Sequence, residues 1–182
     1  MQRFPVHTLE SAPQASKPAL RDVQTRFGMI PNLAGAMATS PVLAEAFIGI
    51  FDKVHGGSFA EPQIQTVLLT DAVTNGSAWA VALHTALGLQ AGLDPVDVEA
   101  MRAGSSPSDE KLGALSTLAR TLIEKRGRLD HQDIARFLDA GYAKDLLLEV
   151  ITIVAASTIT NYTGNVTNPP LEAHLQQFAW NG

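Results

Sequence analysis

Apolar residues recur along this chain at intervals of three and four rather than two, and capping residues, prolines and glycines separate the segments in which they do so. Leu146, Leu147, Val150, Ile151, Val154, Ala155, Ile159 and Tyr162 form the plainest run, with the i, i+3, i+4, i+7 spacing of one helix face. Ser40-Pro41, Asp94-Pro95 and Ser106-Pro107 each put a capping side chain before a proline, the pairing favoured at an N-cap and first helical position. Ser58-Phe59-Ala60-Glu61 reads as a capping box, in which Ser and Glu satisfy each other's free backbone N–H groups. Gly28, Gly104, Gly127 and Gly141 stand where helices should end. The pattern predicts helices over 17–27, 32–39, 41–55, 60–74, 77–91, 95–103, 108–126, 130–139, 143–163 and 170–179. No segment alternates long enough to make a half-buried strand. The predicted class is all-α, a bundle of eight to ten helices in one domain over 1–182, with an N-terminal arm over 1–16.

Two of these helices, 64–74 and 146–159 apart from Glu149, are apolar nearly all round. Such helices are central in a bundle or are covered by another subunit. A chain of 182 residues encloses one of them comfortably, so the second predicts self-association. The stretch from Leu146 to Ile159 is shorter than the roughly 20 residues of a membrane-spanning helix, and no membrane partner is expected.

Composition narrows the chemistry. With 46% hydrophobic and 17% charged residues, disorder is excluded for most of the length. A net charge of −5 gives no general attraction to phosphate backbones, so nucleic acid is not an expected partner. There is no cysteine, which removes disulfides, thiolate catalysis, iron–sulfur clusters and Cys-ligated zinc. None of the five histidines pairs at the i, i+4 spacing of a helical metal site; no metal and no cofactor are expected. The first residues carry no apolar signal segment, and the expected setting is cytoplasmic.

The chemistry-bearing stretch runs from Gln65 through Thr70-Asp71-Ala72-Val73-Thr74-Asn75-Gly76-Ser77-Ala78-Trp79-Ala80 to His84, followed by Gly88 and Ala91-Gly92-Leu93. It resembles the active-site segment of the alkylhydroperoxidase D-like family, which includes the carboxymuconolactone decarboxylases. Phe27-Gly28-Met29-Ile30-Pro31-Asn32, Ser40-Pro41, Gly141, Leu148-Glu149, Asn161 and Asn165 resemble its peroxidase-related branch. The resemblance covers about residues 27 to 165. In the redox members a glutamate, two cysteines three residues apart and a histidine one turn later form a proton and thiol relay. Those positions are Gln65, Ser77, Ala80 and His84 here.

The relay is therefore broken at three of its four positions. A serine hydroxyl does not cycle through sulfenic acid and disulfide, Ala80 offers no resolving group and Gln65 does not titrate. Dithiol peroxidase activity is excluded. Ser77 and His84 are seven residues apart, about 10.5 Å along a helix axis, too far for a direct nucleophile–base pair, and Ser77 suits a helix start. His84 has two readings: an acid/base or substrate-orienting group, or a buried imidazole hydrogen-bonded to a carbonyl or to Gln65. Trp79 and Glu149 are candidate pocket residues. Trp79 also suits a core anchor, and Glu149 needs a partner or a solvent seam among its leucines.

The resemblance implies a homo-oligomer, trimeric or hexameric, with the altered site in an apolar pocket between helices. Two function classes follow. One is a non-redox, decarboxylase- or isomerase-like enzyme on a small organic acid or lactone, with His84 as acid/base. The other is a non-catalytic homologue that keeps the pocket for a small ligand. An enzyme requires a second polar group converging on His84 from another helix; a binding protein does not.

Overall fold

The computed structural model describes residues 4–182 and, among them, contains nine α-helices, two short 3-10 helices and no strand. The helices are α1 (Lys17–Phe27), α2 (Asn32–Met37), α3 (Pro41–His55), α4 (Glu61–Thr74), α5 (Ala78–Gln90), α6 (Pro95–Arg102), α7 (Glu110–Glu124), α8 (His131–Asp139) and α9 (Lys144–Thr167). The 3-10 helices are Gln14–Ser16 and Ala173–Phe178. The predicted helix over 170–179 is thus only the second of these, a short piece that follows Pro169-Pro170.

Side-chain caps open four of the nine α-helices, α3, α6, α7 and α8. Ser40 Oγ accepts the Leu43 N–H at 3.3 Å, and Asp94 Oδ1 accepts the Val96 N–H at 2.7 Å. Two starts differ from expectation. α7 is capped by Asp109, whose Oδ1 accepts the Leu112 N–H at 2.8 Å, rather than by Ser106. α4 begins after Ala60, where the Gln63 side chain accepts the Ala60 N–H at 3.0 Å. The expected capping box at Ser58 does not form, because the Ser58 N–H instead donates to Glu149 Oε1 at 2.6 Å.

α4 is the axis of the bundle, in contact with α3, α5, α6, α7 and α9. Every residue from Ile64 to Ala72 is buried, which is why its apolar positions show no preferred face: each side meets a different neighbour. One core cluster joins Ile64, Val67 and Leu68 to α7, α8 and the first half of α9; a second joins Leu69 and Ala72 to α2, α5 and α6.

α9 behaves differently. It runs 24 residues, one turn past its predicted end, and by length and composition alone could cross a membrane, which corrects the expectation that this segment is too short. Its inner face (Val150, Ile153, Ala156, Ser157, Asn161, Gly164) packs into the bundle. Its outer face leaves Leu148, Ile151, Tyr162 and Val166 between 46% and 69% exposed, an apolar stripe with no partner within the described chain.

Candidate functional site

The site is built where α4 and α5 lie antiparallel under the end of α3. α5 presents Trp79, Leu83, His84 and Leu87 to a cavity of about 200 Å³, and α4 presents Glu61, Gln65 and Leu68. α1 and α3 close it with Phe27, Phe47, Phe51 and His55. Apart from Thr160 the rest of the lining is apolar, and no lysine or arginine lines it.

The polar wall is one continuous hydrogen-bonded chain. His84 Nδ1 lies 2.9 Å from Gln65 Oε1, Gln65 Nε2 donates to Glu61 Oε1 at 2.6 Å, and His55 Nδ1 lies 3.2 Å from Glu61 Oε2. The carboxylate orients the amide, because only its NH2 can donate to Glu61; its oxygen then faces the imidazole and requires a proton on His84 Nδ1. The other imidazole nitrogen, Nε2, keeps a lone pair and has no protein partner among the described residues. His84 is 7% exposed. Burial, with the charge of His55 adding to it, pulls its pKa down to about 3, so the ring is neutral at physiological pH. His55 is held from its other side by tilted contact with Phe51, at a centroid distance of 4.2 Å.

The residues singled out from sequence divide sharply. Gln65, His84 and Trp79 line the cavity. Trp79 is also anchored, its Nε1 donating to Glu172 Oε2 at 3.0 Å while Glu172 Oε1 accepts the Asn32 N–H at 2.7 Å. Ser77 and Ala80 are buried but do not line the cavity. Ser77 precedes α5 without capping it, and its hydroxyl points towards α9, where a Cβ added at Gly164 would stand 3.1 Å away. Glu149 also lies outside the cavity lining; it closes the α3–α4 connection through the Ser58 N–H, so tightly that a Cβ at Gly57 would overlap its carboxylate. Glu61 and His55 were missed as site residues. Glu61 had a signal, an acid one turn before Gln65 on the same face; His55 had none, since α3 ends in a loop whose path decides its neighbour. Among the described residues no three His, Cys, Asp or Glu side chains gather where a metal ion would be held.

No protein-family model and no curated protein matches the sequence. Solved structures do match. The alkylhydroperoxidase D core of an uncharacterized peroxidase-related protein from Ralstonia eutropha JMP134 superposes with a TM-score of 0.83 at 16% identity, over 95% of this chain and 93% of that one. This chain has the alkylhydroperoxidase D-like fold. An uncharacterized peroxidase-related protein from Silicibacter sp. TM1040 matches with a TM-score of 0.77 at 18% identity, over 96% of this chain and 93% of that one. The apo debrominase Bmp8 matches with a TM-score of 0.78 at 18% identity, over 96% of this chain and 95% of that one. A cysteine-to-alanine variant of that debrominase, in complex with 2,3,4-tribromopyrrole, matches with a TM-score of 0.76. The alkylhydroperoxidase D-like fold is therefore also the fold of a debrominase, and in the present chain it carries no thiol at all.

Proposed function

We propose that this chain is a non-redox acid–base enzyme on the alkylhydroperoxidase D-like fold, acting on a small, neutral, ring-sized compound such as a lactone by an isomerase-like proton transfer. The observation that carries the reading is the chain His84–Gln65–Glu61–His55, set along one wall of an otherwise apolar cavity. It supplies the second polar group that an acid–base site requires, and it fixes which nitrogen of His84 meets a ligand. A neutral substrate is favoured over a carboxylate, because the cavity walls hold Glu61 and a neutral imidazole but no lysine or arginine. The low basicity of His84 comes from its burial among apolar side chains, with the charge of His55 adding to it. An imidazolium formed beside a developing enolate is no longer an isolated buried charge, and the nearby anion restores the proton's affinity. Trp79, Phe47 and Phe51 fit a flat ring, and the tribromopyrrole of the debrominase complex is a ligand of that class. A decarboxylase-like reaction on an organic acid is disfavoured on the same ground of charge.

The test is solvent deuterium incorporation, followed by NMR, into the C–H next to the carbonyl of a panel of small lactones and cyclic ketones. The parent protein should exchange at least one of them above background. His84→Gln should lose about 10²–10⁴-fold, the usual share of a positioned general base, and Glu61→Gln should lose less. Exchange at an equal rate in His84→Gln would refute the reading. Tight binding of a panel compound without any exchange would leave the non-catalytic ligand-binding homologue.

A further inference from the structure

The hydrogen-bonded wall of the cavity has a second imidazole at its far end. His55 is the last residue of α3, and its Nδ1 lies 3.2 Å from Glu61 Oε2. A carboxylate only accepts, so Nδ1 carries the proton of that contact, while Nε2 has no protein partner among the described residues. Glu61 thus holds the ring whether or not Nε2 is protonated. His84 is buried, whereas the His55 side chain is 27% exposed and within reach of solvent protons. Both rings line the cavity, and α4 sets their separation. His84 is tied to Gln65 and His55 to Glu61, two residues one turn apart on one helix face, about 6 Å along the axis. A carbonyl oxygen and the C–H beside it, each about 3 Å from a nitrogen, span a gap of that order.

Taking a proton from a carbon next to a carbonyl puts negative charge on the carbonyl oxygen, and a donor must meet it there. The lining has few donors to spare. The Trp79 indole N–H is spent on Glu172, the Thr160 hydroxyl on the Ser157 carbonyl at 2.9 Å, and the Nδ1–H of His84 on Gln65. Gln65 gives one amide hydrogen to Glu61; its other one can donate a hydrogen bond, but an amide does not hand a proton over. His55 is the lining side chain whose free ring nitrogen can both carry a proton and release it.

We propose that His55 is a second catalytic residue of this site, the general acid that protonates the carbonyl oxygen of the substrate while His84 Nε2 takes the neighbouring C–H proton. The inference rests on the acid–base reading given above. The step is redox-neutral. The C–H bond breaks, its proton goes to His84 Nε2, and its electron pair becomes the C=C bond of an enol. The carbonyl π pair takes the proton from His55 Nε2 and forms the enol O–H. One positive charge leaves His55 as one arrives on His84, so two imidazolium rings never face each other. Burial, and then the charge of His55, hold His84 at a pKa of about 3; the second of these influences ends as His55 gives up its proton.

The test follows deuterium uptake by NMR at about pH 6 into γ-butyrolactone, cyclopentanone and nitrocyclopentane, three compounds built on a five-membered ring. The carbanion beside a nitro group is already stabilised and its oxygens are weakly basic, so it gains little from an acid, whereas the two carbonyl compounds gain most. His55→Gln keeps an N–H for Glu61 but transfers no proton. It should slow exchange into the carbonyl compounds roughly 10²-fold, the low end of the usual share of a general acid, and slow nitrocyclopentane by a much smaller factor. His84→Gln should slow all three. His55 stands at an exposed helix end, so the variant is expected to fold, and far-UV circular dichroism checks that it does. Equal slowing of all three compounds by His55→Gln makes the residue a support of the wall and overturns the proposal. Exchange abolished by His84→Gln but untouched by His55→Gln overturns it too, and leaves the acid–base reading standing. If the parent exchanges none of the three, that reading fails and the proposal falls with it.

Discussion

Replacing Asp71 with asparagine should make the folded protein more acid-labile than the parent in the window where Asp71 and His84 oppose each other. Two buried groups titrate with opposite consequences. His84 falls from 6.5 to about 3 on folding, through burial and then the charge of His55. Between these values the unfolded chain holds a proton that the folded one refuses. Stability therefore falls as pH drops through that window, by about 1.4 kcal/mol per pH unit at most. Asp71 is raised well above 3.8 by burial, against a lesser pull from Ser157. Above 3.8 the unfolded chain has lost a proton that the folded one keeps, so stability falls as pH rises. Between pH 3.8 and 6.5, wherever folded Asp71 still keeps its proton, the two slopes oppose each other. Asp71→Asn removes one of them and leaves His84 unopposed, with a loss of about 3 kcal/mol between pH 6.5 and 4, or roughly 6–12 °C in Tm for a chain of this size. His84→Gln should show the inverse, a protein that becomes more stable on acidification, and the double variant should be flat. The assay is urea unfolding followed by far-UV circular dichroism at half-unit pH steps and constant ionic strength. Differences from the parent cancel the other titrating groups. A variant-minus-parent difference that stays constant from pH 4 to 6.5 for Asp71→Asn would refute the reasoning.

Two further outcomes are expected. The outer stripe of α9 gives a proposed homo-oligomer its contact: light scattering should find the parent associated through an interface above about 1,000 Å² and Ile151→Lys with Tyr162→Lys monomeric, whereas a monomeric parent at micromolar concentration would end the proposal. With Ser77 and Ala80 at the thiol positions and no cysteine anywhere, hydrogen peroxide and alkyl hydroperoxides should not be turned over with any dithiol reductant; saturable kinetics that survive metal removal would contradict this.

The sequence by itself determined the helices, because spacing, caps and breakers act within a few residues of one another. Pro41 to His55 was legible to the residue, framed by Ser40 and Gly56. It also determined that Gln65 and His84 belong to one site and that no thiol chemistry is available, since both follow from residue identity and the segment's resemblance. Tertiary structure decided everything that crosses between helices. Ser58 looked like a cap until α9 brought Glu149 to its N–H. Ser77 looked like part of the site until α5 turned its hydroxyl towards Gly164. Gln65 seemed an inert replacement for an acid, yet Glu61 one turn away and His55 across the loop restore a charged end to the chain behind His84. Asp71 stands in the last turn of an apolar helix, and only the tertiary packing buries its carboxyl completely. The physical reason is common to all four. Periodicity along a chain tells which residues share a face, but which atoms meet depends on where two faces dock, and that is fixed by packing of the whole core.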